Sequence, residues 1–196
     1  MYPEFDRARE LLAAEKIPCD YDQLKIEAKL SLALRTSVHP ERSEEMLELL
    51  TRITTIRERT QRAARWLLET AGDSKAVRYF VLAASENFSA IEPPPRVGEA
   101  RMLSDVPVED LNVHELYTLA NYFLTAAVYG LSHDGKRREE VAAYEDRINI
   151  AGLHAAAEHA FEAGNPDAIE FVTILHRELF VPSGVPLRIG SGGDES

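Results

Sequence analysis

Cysteine is almost missing from this chain: Cys19 is the single thiol in 196 residues. One thiol forms neither an intrachain disulfide nor a multi-cysteine metal site. It lies between Pro18 and Asp20, without a basic neighbour to favour the thiolate, so it is no candidate nucleophile. Long apolar runs are missing too. The longest, Leu116 to Leu131, is 16 residues and includes Asn121. A membrane span needs about 20 apolar residues, so this run is expected to be a buried core helix. No stretch alternates polar and apolar residues as a half-buried strand would. There is no glycine-rich phosphate loop, no serine nucleophile elbow and no Cys–His arrangement. The N-terminal MYPEFDRARE is acidic and polar, so no signal peptide is expected. The expectation is a soluble, cytoplasmic protein.

What is present is helical patterning in a globular composition. Apolar content is 45% and charged content 28%, which argues against disorder over most of the length. Phe5, Ala8 and Leu12 predict a helix over 4–16, stopped by Pro18. Asp20 and Gln23 match a capping box and open a second helix to Thr36. His39-Pro40 opens a third, unbroken to Thr70, with Gly72 as its left-handed cap. Met46, Leu50, Ile53, Ile56, Ala63 and Leu67 step along it by threes and fours, apart from a gap at Thr60, as one apolar stripe. A fourth helix is expected over 74–90. Pro93, Pro94 and Pro95 end it and favour extended geometry. Asn112 and Glu115 match a second capping box, opening a helix over 113–132. Asp134-Gly135 is a turn signal. Two more helices are expected, over 136–163 and from Asn165-Pro166 to Phe180, separated by Gly164. The fold class predicted is all-α: a helical bundle of about seven helices with one long central helix. Residues 1–181 form a single helical domain with a subdomain break at 92–108, and 182–196 form a flexible tail.

Charge is split unevenly. The formal net charge is -11, of which residues 92–196 carry -10. Against this, Arg52, Arg57, Arg59, Arg62 and Arg65 crowd one stretch of the third helix, with Glu58 the only acid among them. Guanidinium groups bind carboxylate and phosphate bidentately, and Thr54, Thr55 and Gln61 add further hydrogen-bonding groups. Three readings stand: a face paired within the chain or simply solvated, a face for an acidic protein, or a face for nucleic acid. Nucleic acid is the weaker of the two partners, because dedicated nucleic-acid domains are usually basic overall.

Two short patterns bear on catalysis. Ser132-His133-Asp134-Gly135-Lys136 resembles the His-Asp-x-Gly-Lys signature of HD-type metal phosphohydrolases. That resemblance implies His133 and Asp134 as ligands of a water-activating metal, with His114 and Asp146 as further ligands. The residue usually found between Asp and Gly is missing. The bland reading is a turn that ends one helix and starts the next. Arg147 and His154 fit a loose Arg-x4–6-His pattern that resembles HEPN ribonucleases. It implies a phosphate clamp and a base on one helix face. The bland reading is an exposed ion-pair row that includes Glu140 and Glu158. His154 and His159 are five residues apart, whereas helical metal-binding histidines stand four apart, so no metal site is expected there.

Ala151, Gly152, Ala155, Ala156 and Ala160 are small residues at helical spacing. They suit close approach of a neighbouring helix, within the chain or in a homodimer. No cofactor signature is present. The sequence therefore predicts a non-catalytic interaction protein or accessory subunit that binds a protein or nucleic-acid partner through the arginine face. The alternative is a small phosphoester hydrolase or ribonuclease using His133 and Asp134 or Arg147 and His154.

Overall fold

The computed structural model describes residues 2–18, 23–71, 73–85, 97–177 and 184–187. They are all-α, with helices α1 (Pro3–Ala14), α2 (Gln23–Thr36), α3 (Pro40–Thr70), α4 (Lys75–Ala84), α5 (Val97–Met102), α6 (Val113–Val128), α7 (Gly135–Ala163) and α8 (Pro166–Leu175). The long central helix is present as predicted, with Pro40 at its first position. Short α5 was not anticipated. The expected capping box at Asp20 and Gln23, the Gly72 cap, Cys19 and the three prolines at 93–95 lie outside the described residues.

The chain divides into two compact units, Met1–Arg62 and Ala63–Ser196. The division falls inside α3.

In the first unit, one face each of α1, α2 and the beginning of α3 meet. Phe5, Ala8, Leu11 and Leu12 pack with Ile26, Leu30, Ala33, Met46, Leu49 and Ile53. Of the predicted α3 stripe, Met46, Ile53, Ala63 and Leu67 are buried, while Leu50 and Ile56 are half-buried. Leu49 takes an inward position beside Met46. Ion pairs close the edges of this core: Arg7 to Glu45 at 2.6 Å and Arg42 to Glu15 at 2.9 Å. Helix α1 ends on Lys16, whose φ of 59° is left-handed. That geometry lets the Ile17 N–H reach the Leu12 carbonyl at 2.8 Å and close the helix end without a glycine.

In the second unit, local chemistry sets each helix start. The Ser74 side chain accepts from Val77 N–H, and Asn165 accepts from Ala168 N–H. Asn112 and Glu115 form the predicted reciprocal capping box at 2.9 and 2.8 Å. Gly164 at φ 63° ends α7. One core cluster joins Ala63, Ala64 and Leu67 to Val77, Phe80, Leu153, Ala156, Ala160 and Phe171. A second gathers Tyr79, Leu111, Leu116, Leu119, Phe123, Val141 and Ile148. Helices α4 and α7 approach closely at Gly152. A Cβ placed there would lie 2.2 Å from the Ala76 carbonyl oxygen and 2.6 Å from Phe80 Cβ. The small residues of α7 thus serve packing within the chain at Gly152, Ala156 and Ala160, whereas Ala151 is exposed.

The expected buried helix over 116–131 is only half buried. Leu116, Leu119, Phe123 and Ala126 face the core. Leu124, Val128, Tyr129 and Leu131 stand 64%, 72%, 73% and 51% exposed. No described helix is long and apolar enough to cross a membrane.

Candidate functional site

The arginines of α3 are largely spoken for. Exposed Arg52 bonds Glu48 one turn earlier at 2.5 Å. Arg57 Nε sits 3.0 and 3.1 Å from the two carboxylate oxygens of Glu27 on α2, in a half-buried pair. Arg59 and Arg62 each have an interaction partner as well. Arg65 is exposed, on the part of α3 that belongs to the second unit. The whole helix carries six acidic and six basic side chains, so its net charge is zero. An exposed pair such as Arg52–Glu48 is worth about 0.3–0.5 kcal/mol and exchanges readily for a partner's carboxylate. The Arg57–Glu27 pair bridges two helices and is less easily traded, because separating it leaves two partly desolvated charges.

Arg52 also lines a shallow pocket of about 240 Å³ with Pro3, Glu4, Arg7, Glu45, Glu48 and Leu49. Three carboxylates among those seven residues make it a poor phosphate cradle. The volume also falls below the roughly 300 Å³ at which small-molecule sites begin.

Asp134 is the N-cap of α7. Its carboxylate accepts from the backbone N–H groups of Lys136 and Arg137 at 3.0 and 3.2 Å. His133 lies 3.0 Å from the Leu131 carbonyl through Nδ1 and tilts against the Phe123 ring. Both side chains therefore do the local work of the turn. Asp146 is exposed on α7 and His114 is exposed in the first turn of α6. Among the described residues, no group of three or more His, Cys, Asp or Glu side chains is placed to hold a metal ion.

Arg147 and His154 share α7 but face different surroundings. Arg147 lies over the Tyr144 ring, 5.0 Å from its centroid. It lines a pocket of about 230 Å³ with Val108, Glu109, Glu140, Ala143 and Tyr144. His154 is not part of that pocket; its Nε2 is 3.0 Å from the Pro186 carbonyl oxygen. His159 stacks on Trp66 at 4.9 Å and bonds Thr70 at 2.8 Å. Neither histidine is directed toward the other as a ligand pair.

Three features had no place in the sequence reading. The first is a partly buried polar contact between α4 and α7, in which the Tyr79 hydroxyl donates to the Glu145 carboxylate. Burial pushes the Glu145 carboxyl above its usual range, more strongly than the Tyr79 bond draws it down, and neighbouring Asp146 adds to the rise. Burial likewise raises Tyr79, reinforced by the negative charge of Glu145. A pair of this kind acts as a packing contact. The second is the exposed apolar strip on α6. Leu124 and Val128 follow Tyr117 and Asn121 in steps of four and three, the seam spacing of paired helices, and Tyr129 and Leu131 lie just beyond the helix end. The signal was in the sequence, but identical residues also fit a core face. The third is His176, which with His154 holds the backbone at 185–186. Only the fold brings these residues together.

No family model matches this chain, and no curated protein or solved structure is similar to it.

Proposed function

We propose that this protein is a non-catalytic interaction protein, an accessory subunit that docks on another protein. The observation that carries the reading is the strip Leu124, Val128, Tyr129 and Leu131, four large apolar side chains at least half exposed near the end of α6. Burying such a side chain is worth roughly 1.5–3 kcal/mol, so a covered strip supplies most of a specific interface. From 116 to 131 the chain has no charged residue. On a protein of net charge -11 this is a face that another acidic surface approaches without repulsion. The seam spacing selects the partner's form: an amphipathic helix with a matching apolar row. Arg59 and Arg62 on α3 supply a second contact region, where intrachain pairs give way to carboxylates of the partner.

The hydrolase reading draws no support from the geometry, because Asp134 caps a helix and Arg147 and His154 have separate partners. The nucleic-acid reading is weakened by a helix of zero net charge.

The test is capture from the native host with the wild-type chain, the pair Leu124→Asp and Val128→Asp, and the pair Arg59→Glu and Arg62→Glu. The expected result is one stoichiometric partner that the first pair loses and the second pair weakens in a salt-dependent way. Sedimentation of the purified chain separates a different partner from a second copy. Retention of every wild-type partner by the Leu124 and Val128 pair would refute the reading.

A further inference from the structure

Residues 184–187 belong to the tail expected to be mobile, yet they are held on the second unit by two imidazoles from different places in the fold. His176, just after α8, has Nε2 2.7 Å from the Val185 carbonyl oxygen. His154, in the middle of α7, has Nε2 3.0 Å from the next carbonyl, that of Pro186. At these distances both Nε2 atoms carry a hydrogen and donate. Leu187 then packs against the cluster built from Leu153, Ala157, Phe171 and Val172.

The chemistry of the segment matches this setting. Pro186 has no N–H, so at its centre the segment presents acceptors and no donor that would need a partner. Its φ is fixed by the ring, which favours an extended backbone before binding. Hydrogen bonds to main-chain carbonyls together with an apolar seat for a side chain are the means by which extended peptides are bound. None of these contacts depends on the segment being covalently joined to α8. The join only raises its local concentration, to the order of millimolar for a short linker.

We propose that the surface between His154 and His176 is a peptide-binding site, filled in cis by Val185-Pro186-Leu187. Its external ligand is an extended peptide of another protein that carries leucine directly after proline. The site is separate from α6, and its failure would leave the reading of the apolar strip untouched.

The test uses a fluorescein-labelled peptide of residues 183–189 and the full-length chain. In wild type the tethered segment competes, so saturable binding is weak. Leu187→Glu releases the segment, and the peptide is expected to bind about tenfold more tightly or better, the advantage of removing a millimolar competitor. Adding His154→Ala and His176→Ala to Leu187→Glu abolishes that gain. A peptide with glutamate in place of leucine does not bind. The Leu124→Asp and Val128→Asp pair leaves the binding unchanged. A Leu187→Glu chain with wild-type helical content that shows no saturable binding up to about 1 mM peptide overturns the proposal. If Leu187→Glu does not fold, imidazole nitrogen NMR of the wild-type chain decides. A spin-labelled peptide of residues 183–189 at millimolar concentration must then broaden the Nε2 signals of His154 and His176, and unbroadened signals overturn the proposal equally.

Discussion

Replacing Gly152 by alanine tests the packing of α4 on α7 through the sign of its effect. Gly152 lies inside a 29-residue helix. There, propensity alone makes alanine better than glycine by about 1 kcal/mol. If nothing opposed the new methyl group, the variant would be more stable. The structure opposes it. The added Cβ meets the Ala76 carbonyl oxygen at 2.2 Å, Phe80 Cβ at 2.6 Å and the Ala76 carbonyl carbon at 2.8 Å. Two of these are backbone atoms, which cannot swing aside as a side-chain tip can. Relief requires α4 and α7 to separate by about 1 Å locally, and a gap of that size forfeits a quarter to a half of each dispersion contact beside it. Overpacking typically costs about 1–3 kcal/mol, and a backbone clash belongs at the top of that range. After the propensity gain, Gly152→Ala is expected to lose about 2 kcal/mol, or roughly 4–8 °C in melting temperature for a chain of this size. Differential scanning calorimetry measures it. Gly135→Ala is the control, since a Cβ there meets nothing within 4 Å and the change is expected to be neutral or slightly stabilising. A Gly152→Ala variant as stable as wild type, or more stable, would show that the two helices do not approach as described.

Asp134→Ala removes the α7 cap and is expected to cost about 1 kcal/mol, whereas Asp134→Asn retains most of the stability; urea titration distinguishes them. Lys16→Gly removes a left-handed side-chain conformation and is expected to stabilise the first unit by up to about 1 kcal/mol, read from the same titration. The Glu145 carboxyl is pushed up from the ordinary value of 4.5 by burial. The folded state therefore holds this proton more tightly than the unfolded chain. The stability it confers is complete below pH 4.5 and is lost as pH rises through the raised folded value. Glu145→Gln keeps an acceptor for the Tyr79 hydroxyl and is expected to raise the melting temperature at pH 7, with the advantage shrinking toward pH 4. A constant difference across that range would refute the assignment.

Much of the fold was legible because its signals are local. Asn112 with Glu115, Gly164, Asn165-Pro166 and Pro40 each fix a helix end through chemistry within four residues, and each appears as read. The burial of α6 was not legible in the same way. Leu116, Leu119, Leu124 and Val128 are equally apolar, and only the positions of α4 and α7 decide which two face inward. The candidate site was less legible still. The arginines of α3 were visible as a cluster, but Glu27, which occupies Arg57, comes from another helix 30 residues away. His133 and Asp134 resembled a metal motif because a helix N-terminus also favours a carboxylate followed by glycine. The neighbouring pairs Tyr79–Glu145 and His154–Pro186 depend on helix packing that no spacing rule encodes.

The stacking of Trp66 on His159 has a practical consequence. Trp66 is the sole tryptophan and lies in the second unit, so selectively excited tryptophan emission during denaturation follows that unit alone. Circular dichroism follows helices of both. Coincident curves from the two signals would mean one cooperative transition, and separated curves would mean that the halves of the chain melt independently. The molecule thus carries its own reporter of whether the two units stand or fall together.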